Sequence, residues 1–194
     1  AGVGRVISNH LTLDFEQEGG LSAVTPAVAF ELTHRLSLGV ALNLWRSTFL
    51  SENDWEQRTR FETSVFGMGP IRAVRQKEIR YDDFSGENAT FGLLWDISGR
   101  WRIGLRYDTA FTGDADYAER SVWWQANLGR LSVPSVGAVS YSHKREVRFP
   151  DTIAAGVAWR PNDRFTLCLD VTRTDWDDYW VKDAAGVRQS LVDA

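Results

Sequence analysis

Three histidines and one cysteine are the side chains best suited to chemistry in this 194-residue chain. No histidine stands at metal-ligand spacing from another histidine or from Cys168, so we expect no metal site. His143 follows Ser140 and Ser142, but nucleophilic catalysis needs a serine and a base held in one geometry. Nothing in the sequence fixes such a geometry. We therefore expect no catalytic residue, no enzyme activity and no cofactor.

Two arginines could recognise a carboxylate. Arg102 and Arg106 alternate with apolar residues, which would place both on the polar face of one strand. An arginine presents a fork of N–H donors that fits a carboxylate, so either residue could bind the head of a fatty acid. The alternative is a structural ion pair with an acid of the chain itself, such as Asp108, Asp170 or Glu31.

A third group of side chains offers apolar contact. The segment 46–86 is rich in charges, yet it is too apolar for a plain solvated loop. Its apolar side chains could take a hydrophobic molecule from water, at about 0.8 kcal/mol per buried CH₂ group. The residues expected to bind such a molecule are Trp55, Phe61, Val65, Phe66, Met68 and Ile71. The alternative is that they only pack the loop on itself.

The composition narrows the class of protein. The chain is 43% hydrophobic and 25% charged, which is typical neither of a disordered chain nor of a helical membrane protein. No stretch approaches the roughly 20 apolar residues of a membrane helix. A net charge of −4 gives no electrostatic footprint for nucleic acid. No signal peptide is present, so we expect that the signal of an exported protein would lie upstream.

Apolar and polar residues alternate along most of the chain. In 101–108, Trp101, Ile103, Leu105 and Tyr107 share one parity, which is the pattern of a strand with one apolar face. Such runs last about nine to thirteen residues. Strands of soluble sandwiches usually have about 5–6 residues, whereas a tilted strand that crosses a bilayer needs about 9–11. The length favours a membrane barrel over a soluble β-sandwich with long strands.

One layout repeats three times. An aromatic-ended strand, a short polar turn, an arginine and an apolar strand recur around Arg35, Arg100 and Arg164, which lie 65 and 64 positions apart. Short turns at one end and long connections at the other are typical of outer-membrane barrels, and the aromatic residues at the strand ends would form the interfacial girdle.

These patterns predict an all-β fold, an antiparallel transmembrane β-barrel of the outer-membrane type, with 1–194 forming a single barrel segment. The predicted membrane strands are about 21–33, 36–48, 87–98, 100–112, 147–160 and 164–176. The predicted outer loops are about 46–86, 113–147 and 177–194, the second with strand-like pieces at about 118–131 and 136–147.

Three stretches, 24–40, 91–107 and 149–176, resemble the FadL/TodX family of outer-membrane transporters for long-chain fatty acids and aromatic hydrocarbons. The third is the most specific, because a proline-led strand is followed by a turn and a strand that closes on Thr174, Asp175 and Trp176. The resemblance implies a fourteen-stranded barrel plugged by an N-terminal hatch. The chain would be the middle of such a protein, a partial barrel without the hatch and the terminal strands.

The resemblance also implies a function. Hydrophobic compounds would be captured by apolar outer loops and would diffuse passively through the barrel, which would be a monomer in contact with outer-membrane lipid. The alternative is an outer-membrane barrel that binds or supports without transport, such as an adhesin or a surface scaffold. The residues leave open whether the substrate is a fatty acid or an aromatic hydrocarbon.

Overall fold

The computed structural model describes residues 8–48, 52–66, 71–127 and 135–190. These residues form antiparallel strands with one turn of 3₁₀ helix at Trp176–Asp178, and they contain no helix that is long and apolar enough to cross a membrane. The strands are β1 Ser8–Gly19, β2 Ala23–Val24, β3 Ala27–Thr33, β4 Leu36–Trp45, β5 Trp55–Phe66, β6 Ile71–Ser98, β7 Trp101–Asp108, β8 Phe111–Asn127, β9 Ser135–Phe149, β10 Thr152–Asn162, β11 Phe165–Thr174, β12 Trp180–Lys182 and β13 Arg188–Ser190.

The chain divides into two compact units, where the sequence predicted one segment. Unit 1 comprises Ala1–Gly20, Asp54–Asp82 and Asp116–His143, and unit 2 comprises Leu21–Asn53, Asp83–Ala115 and Lys144–Ala194. Strands β6, β8 and β9 contribute residues to both units, because three of the unit boundaries fall inside them, after Asp82, Ala115 and His143.

Unit 2 is built on the sheet β3-β4-β6-β7-β10-β11, in which every neighbouring pair is antiparallel. One row of the register joins Val40, Phe91, Tyr107 and Ile153, and all four side chains are exposed. We call this side the apolar face of unit 2. An exposed apolar sheet face is costly in water and is the surface that a membrane barrel presents to lipid.

The opposite side of the same sheet, the polar face of unit 2, carries small and polar side chains. The neighbouring register row joins Gly39, Gly92, Arg106 and Ala154. Among the described residues, β3 pairs only with β4, and β11 pairs only with β10. The sheet therefore has a free edge at β3 and another at β11. The all-β, antiparallel fold is confirmed, and the open sheet agrees with a partial barrel.

In unit 1, β5 lies between β1 and the first part of β6 in an antiparallel sheet. One side carries exposed apolar side chains, and we call it the apolar face of unit 1: Leu11, Leu13, Phe15 and Phe61. The other side carries ion pairs such as Arg58–Glu56 at 2.5 Å and Arg60–Glu62 at 3.4 Å. Strand β5 and the first half of β6 therefore occupy the segment 46–86, where an outer loop was expected.

The reason for this difference lies in the residue pattern of β5. Its alternation is between charged and uncharged residues, since Glu56, Arg58, Arg60 and Glu62 alternate with Gln57 and Thr59. A search for alternating apolar residues passes over such a strand. In 113–147 the two strand-like pieces appear as β8 and β9, and the tail contains the short strands β12 and β13 beside the 3₁₀ turn.

A buried asparagine fastens unit 2 at its β4–β6 side. Asn53 is fully buried; its Oδ1 accepts hydrogen bonds from the backbone N of Ser22 at 2.7 Å and from Ser22 Oγ at 2.8 Å. Its Nδ2 donates to the carbonyl oxygens of Ser22 and Phe84. A buried amide must have its polar atoms satisfied, and here four partners do so.

Candidate functional site

The clearest candidate site is a groove of about 480 Å³ on the polar face of unit 2. Strands β4, β6, β7, β10 and β11 all supply side chains to it. Its central register row joins Thr90, Asp108, Thr152 and Thr174, and the hydroxyls of the last two lie 2.9 Å apart. The row is continuous across neighbouring strands because side chains of one parity share one face.

The polar floor of the groove is a chain of hydrogen bonds that ends on one carboxylate. Thr25 Oγ1 donates to Asn43 Oδ1 at 3.0 Å, and Asn43 Nδ2 donates to Thr90 Oγ1 at 3.0 Å. Thr90 Oγ1 donates to Asp108 Oδ1 at 2.7 Å, and Arg106 Nε donates to Asp108 Oδ2 at 2.8 Å. Most donors and acceptors of the floor are thus bound to one another, and the positive charge of Arg106 is balanced by the negative charge of Asp108.

The wall of the groove is aromatic. The rings of Trp45 and Phe111 stack with centroids 6.0 Å apart, and those of Phe111 and Phe149 stack at 5.0 Å. Trp45 Nε1 donates to Asn88 Oδ1 at 2.8 Å, which fixes the plane of the indole. A Cβ at Gly86 would lie 3.0 Å from the ring of Phe111, so a glycine at this position leaves the space that the ring occupies. We call these three rings the aromatic wall.

The two predicted arginines are both paired with acids of the chain. Arg106 lies in the groove with its Nη2 2.7 Å from Asp108, and Arg102 Nε lies 2.6 Å from Asp96. Arg102 lines a separate hollow near the β6–β7 turn, so the structure does not bring the two together in one site. In the structure, both arginines therefore form an ion pair with an acid of the chain itself, which was the alternative to binding a ligand carboxylate.

Five of the six predicted capture residues lie on β5 and β6 of unit 1. Trp55 stacks on Tyr81 at 5.4 Å, and exposed Phe61 pairs in register with Leu13 of β1. The backbones of three more belong to these strands, namely Val65, Phe66 and Ile71. Met68 lies outside the described residues.

The sequence analysis missed the aromatic wall. Trp45 has the parity of Gly39, Ala41 and Asn43, so a large ring there interrupts the small and polar face of β4. That interruption is the signal that could have found the site.

Unit 1 holds a second polar cluster, around Glu119. Its carboxylate accepts hydrogen bonds from Tyr117 Oη at 2.5 Å and Tyr141 Oη at 2.6 Å, and Lys77 Nζ lies 3.1 Å away. Burial opposes ionisation, but the donors outweigh it and hold the pKa of Glu119 below its ordinary value. No group of side chains in the described part of the chain could hold a metal ion.

Comparison with known proteins identifies the family. The family model for the outer membrane protein transport protein (OMPP1/FadL/TodX) matches residues 20–184. A solved structure, the CymD monoaromatic hydrocarbon channel, is 14% identical with a TM-score of 0.36; the match covers 93% of this chain and 63% of the channel. The chain thus spans less than two thirds of that channel's length. Among curated proteins, none matches. Because the family model covers most of the sequence, the chain belongs to the OMPP1/FadL/TodX family of outer-membrane transport proteins.

Proposed function

We propose that the protein containing this chain carries hydrophobic compounds, either long-chain fatty acids or aromatic hydrocarbons, passively across the outer membrane. The observation that carries the proposal is the aromatic wall on an otherwise small and polar face. The donors and acceptors beside it are bound to one another, so the contact that the groove offers a ligand is mainly apolar. The three rings are half-buried, and aromatic rings supply large apolar contact areas to a ligand.

Capture of the compound is assigned to unit 1. The apolar face of unit 1 exposes Leu11, Leu13, Phe15 and Phe61 to solvent. Each CH₂ group that a ligand buries there contributes about 0.8 kcal/mol, so a long alkyl chain gains affinity with its length. Trp55, Val65, Phe66, Met68 and Ile71 are proposed to add to this surface. No step needs an energy source, because the compound moves from water to successively more favourable apolar contacts.

A carboxylate on the ligand would have to compete for Arg106. The guanidinium is held by Asp108 at 2.7 Å, and Asp108 is held in turn by Thr90. Breaking a charge-assisted pair of this kind costs more than breaking a neutral hydrogen bond. The groove therefore favours a neutral compound over an ionised acid, and a fatty acid is expected to bind there through its alkyl chain.

The test is ligand titration of the full-length protein in detergent, with one fluorescent fatty acid and one fluorescent aromatic hydrocarbon. The double variant Trp45→Ala, Phe111→Ala removes two rings of the aromatic wall. We expect its Kd for the transported class to rise about tenfold, which corresponds to about 1.4 kcal/mol. The matched control is Trp159→Ala, which removes a tryptophan from outside the groove.

Two results would contradict the proposal. One is the absence of saturable binding of either probe to the wild-type protein, which would favour the scaffold alternative. The other is unchanged affinity in the double variant, which would move ligand binding away from the aromatic wall. Comparison of the two probes decides between fatty acids and aromatic hydrocarbons.

A further inference from the structure

Three hairpin turns of unit 2 share one construction. They join β3 to β4, β6 to β7 and β10 to β11, and in each the register shifts by one residue just before the turn. In each, a side-chain oxygen accepts a hydrogen bond from the backbone N of an arginine two residues later: Thr33 to Arg35 at 3.2 Å, Ser98 to Arg100 at 3.3 Å and Asn162 to Arg164 at 2.9 Å. Side chains of this type mimic a backbone turn, so the arginine has the same position in all three.

Backbone hydrogen bonds tie the three turns together. The carbonyl oxygen of Arg35 accepts a hydrogen bond from the backbone N of Asp96 at 2.7 Å, and that of Arg100 accepts one from the backbone N of Arg160 at 2.8 Å. Arg35 and Arg100 are thereby each anchored to the next hairpin of the sheet. The three arginines form a row along one end of the sheet, and we call it the arginine row.

The charges of the arginine row are not neutralised by the described part of the chain. All three side chains belong to exposed residues, and none has an ion pair there. Other arginines of unit 2 differ: Arg46 pairs with Glu87 at 3.0 Å and Arg173 with Asp175 at 3.4 Å. Three exposed cations in a row are therefore available to anions from outside the described part of the chain.

The neighbours of the arginine row indicate where these anions lie. The residue after each arginine is apolar, and two of the three, Trp101 and Phe165, are exposed aromatics. Trp101 stacks on Trp159 at 5.6 Å across β7 and β10. Exposed tryptophan at the end of an apolar strand face is typical of the membrane–water interface, and an arginine beside it reaches to the level of the lipid headgroups.

We propose that the arginine row binds the phosphates of anionic phospholipids in the inner leaflet of the outer membrane. The leaflet follows from topology, because the short turns of outer-membrane barrels lie on the periplasmic side. The ligand follows from charge, because clustered cations beside the membrane attract anionic lipids and a guanidinium suits phosphate oxygens. This proposal concerns the membrane around the protein and is independent of the compound that it carries.

The experiment compares lipid binding by three forms of the full-length protein. The turn variant is Arg35→Gln, Arg100→Gln, Arg164→Gln. The control variant, Arg46→Gln, Arg173→Gln, Arg188→Gln, removes the same charge from other positions of unit 2. Each is titrated in detergent with phosphatidylglycerol, phosphatidylcholine and lipopolysaccharide, and bound lipid is counted by native mass spectrometry.

We expect the wild-type protein to prefer phosphatidylglycerol to phosphatidylcholine. The turn variant should bind phosphatidylglycerol at least tenfold more weakly, while the control variant binds as the wild type does. Equal binding by the turn and wild-type proteins would overturn the proposal, as would an equal loss in both variants. A loss confined to lipopolysaccharide would assign the arginine row to the outer leaflet and would also overturn it.

A single substitution guards against failure of the turn variant to fold. Arg100→Gln removes the central cation and leaves the hydrogen bond from its backbone N to Ser98, because that bond does not use the side chain. We expect a two- to fourfold loss of phosphatidylglycerol binding in a protein whose electrophoretic mobility still shifts on heating. Wild-type affinity in this folded variant would contradict the proposal.

Discussion

Glu119 shows how one residue organises its surroundings in unit 1. Its carboxylate is contacted by the hydroxyl of Tyr117 on the same strand, β8, by the hydroxyl of Tyr141 on β9 and by the ammonium group of Lys77 on β6. Hydrogen bonds to a charged group contribute about 1.5–3 kcal/mol, more than neutral ones do. The cluster therefore links β6, β8 and β9 by polar contacts, and their strength depends on the ionisation of a single group.

The lowered pKa of Glu119 predicts a pH dependence. Its contribution to stability is fully present above the ordinary pKa of a glutamate, and it is lost as pH falls through the lower pKa of the folded state. We expect Glu119→Gln to remove this part of the acid sensitivity and to speed amide hydrogen exchange in β8 and β9 at neutral pH. Exchange followed by mass spectrometry on the full-length protein at several pH values would measure both effects.

The control for Glu119 is Glu16→Gln, also in unit 1. Glu16 lies 3.9 Å from Arg58 in an exposed pair, and such pairs contribute little. Its substitution should leave exchange in β8 and β9 unchanged. Equal effects of the two substitutions would show that loss of a surface charge, and not the cluster, is responsible.

At the scale of the elements, close packing of β6 against β8 depends on a glycine. A Cβ at Gly113 would overlap the ring of Phe84 and would lie 2.9 Å from the carbonyl oxygen of Ser85. Phe84 is buried and packs edge to face on Phe149 at 5.9 Å. A methyl group at Gly113 would thus push on backbone and on a ring that cannot move away freely.

Gly113→Ala should therefore destabilise the protein by about 1–3 kcal/mol, the usual cost of overpacking. Gly39→Ala is the matched control, because the nearest atom to its new Cβ is the carbonyl oxygen of Val28 at 3.9 Å, an ordinary contact. Urea unfolding of the full-length protein in vesicles would compare the two. A Gly113→Ala protein as stable as the Gly39→Ala protein would contradict the packing that we describe.

The elements also show what the sequence could predict. Strands β4, β7, β10 and β11 have one face of aliphatic and aromatic residues, so the alternation reveals them. Strand β5 escaped because Gln57, Thr59 and Thr63 interrupt the apolar residues of its uncharged face, so apolar alternation is weak along it. The site escaped for another reason: Trp45, Phe111 and Phe149 lie on separate strands, and only the register of the sheet brings their rings together.

At the scale of the whole molecule, the resemblance to the FadL/TodX family was the most reliable prediction. Three stretches of sequence carried it, and the family match over residues 20–184 confirms it. Family membership places the protein in the outer membrane and among transport proteins. The substrate class and the passive mechanism belong to the proposed function, and the probe titrations described there test them.

The open sheet of unit 2 leads to a prediction for the isolated chain. Strands β3 and β11 each leave one edge unpaired among the described residues. Unpaired backbone groups are not tolerated in the hydrocarbon core, so a 194-residue chain on its own should aggregate or form mixed oligomers in detergent.

Electrophoresis with and without heating would measure this difference. The full-length protein should run as a compact band that shifts on heating, and the isolated chain should not. A heat-shifted monomer of the isolated chain would show that its edges find partners within the 194 residues.

Cys168 of β11 is an exposed free thiol. In the register of the sheet it pairs with Ala158 of β10, which pairs in turn with Arg102 of β7. It is the one cysteine of the sequence, and it stands on the polar face of unit 2. The largest maleimide that still reacts with this thiol would therefore report how much space lies beside the polar face. No engineered cysteine is needed. If the full-length protein reacts with small maleimides and not with large ones, the size at which the reaction stops gives the free width beside Cys168.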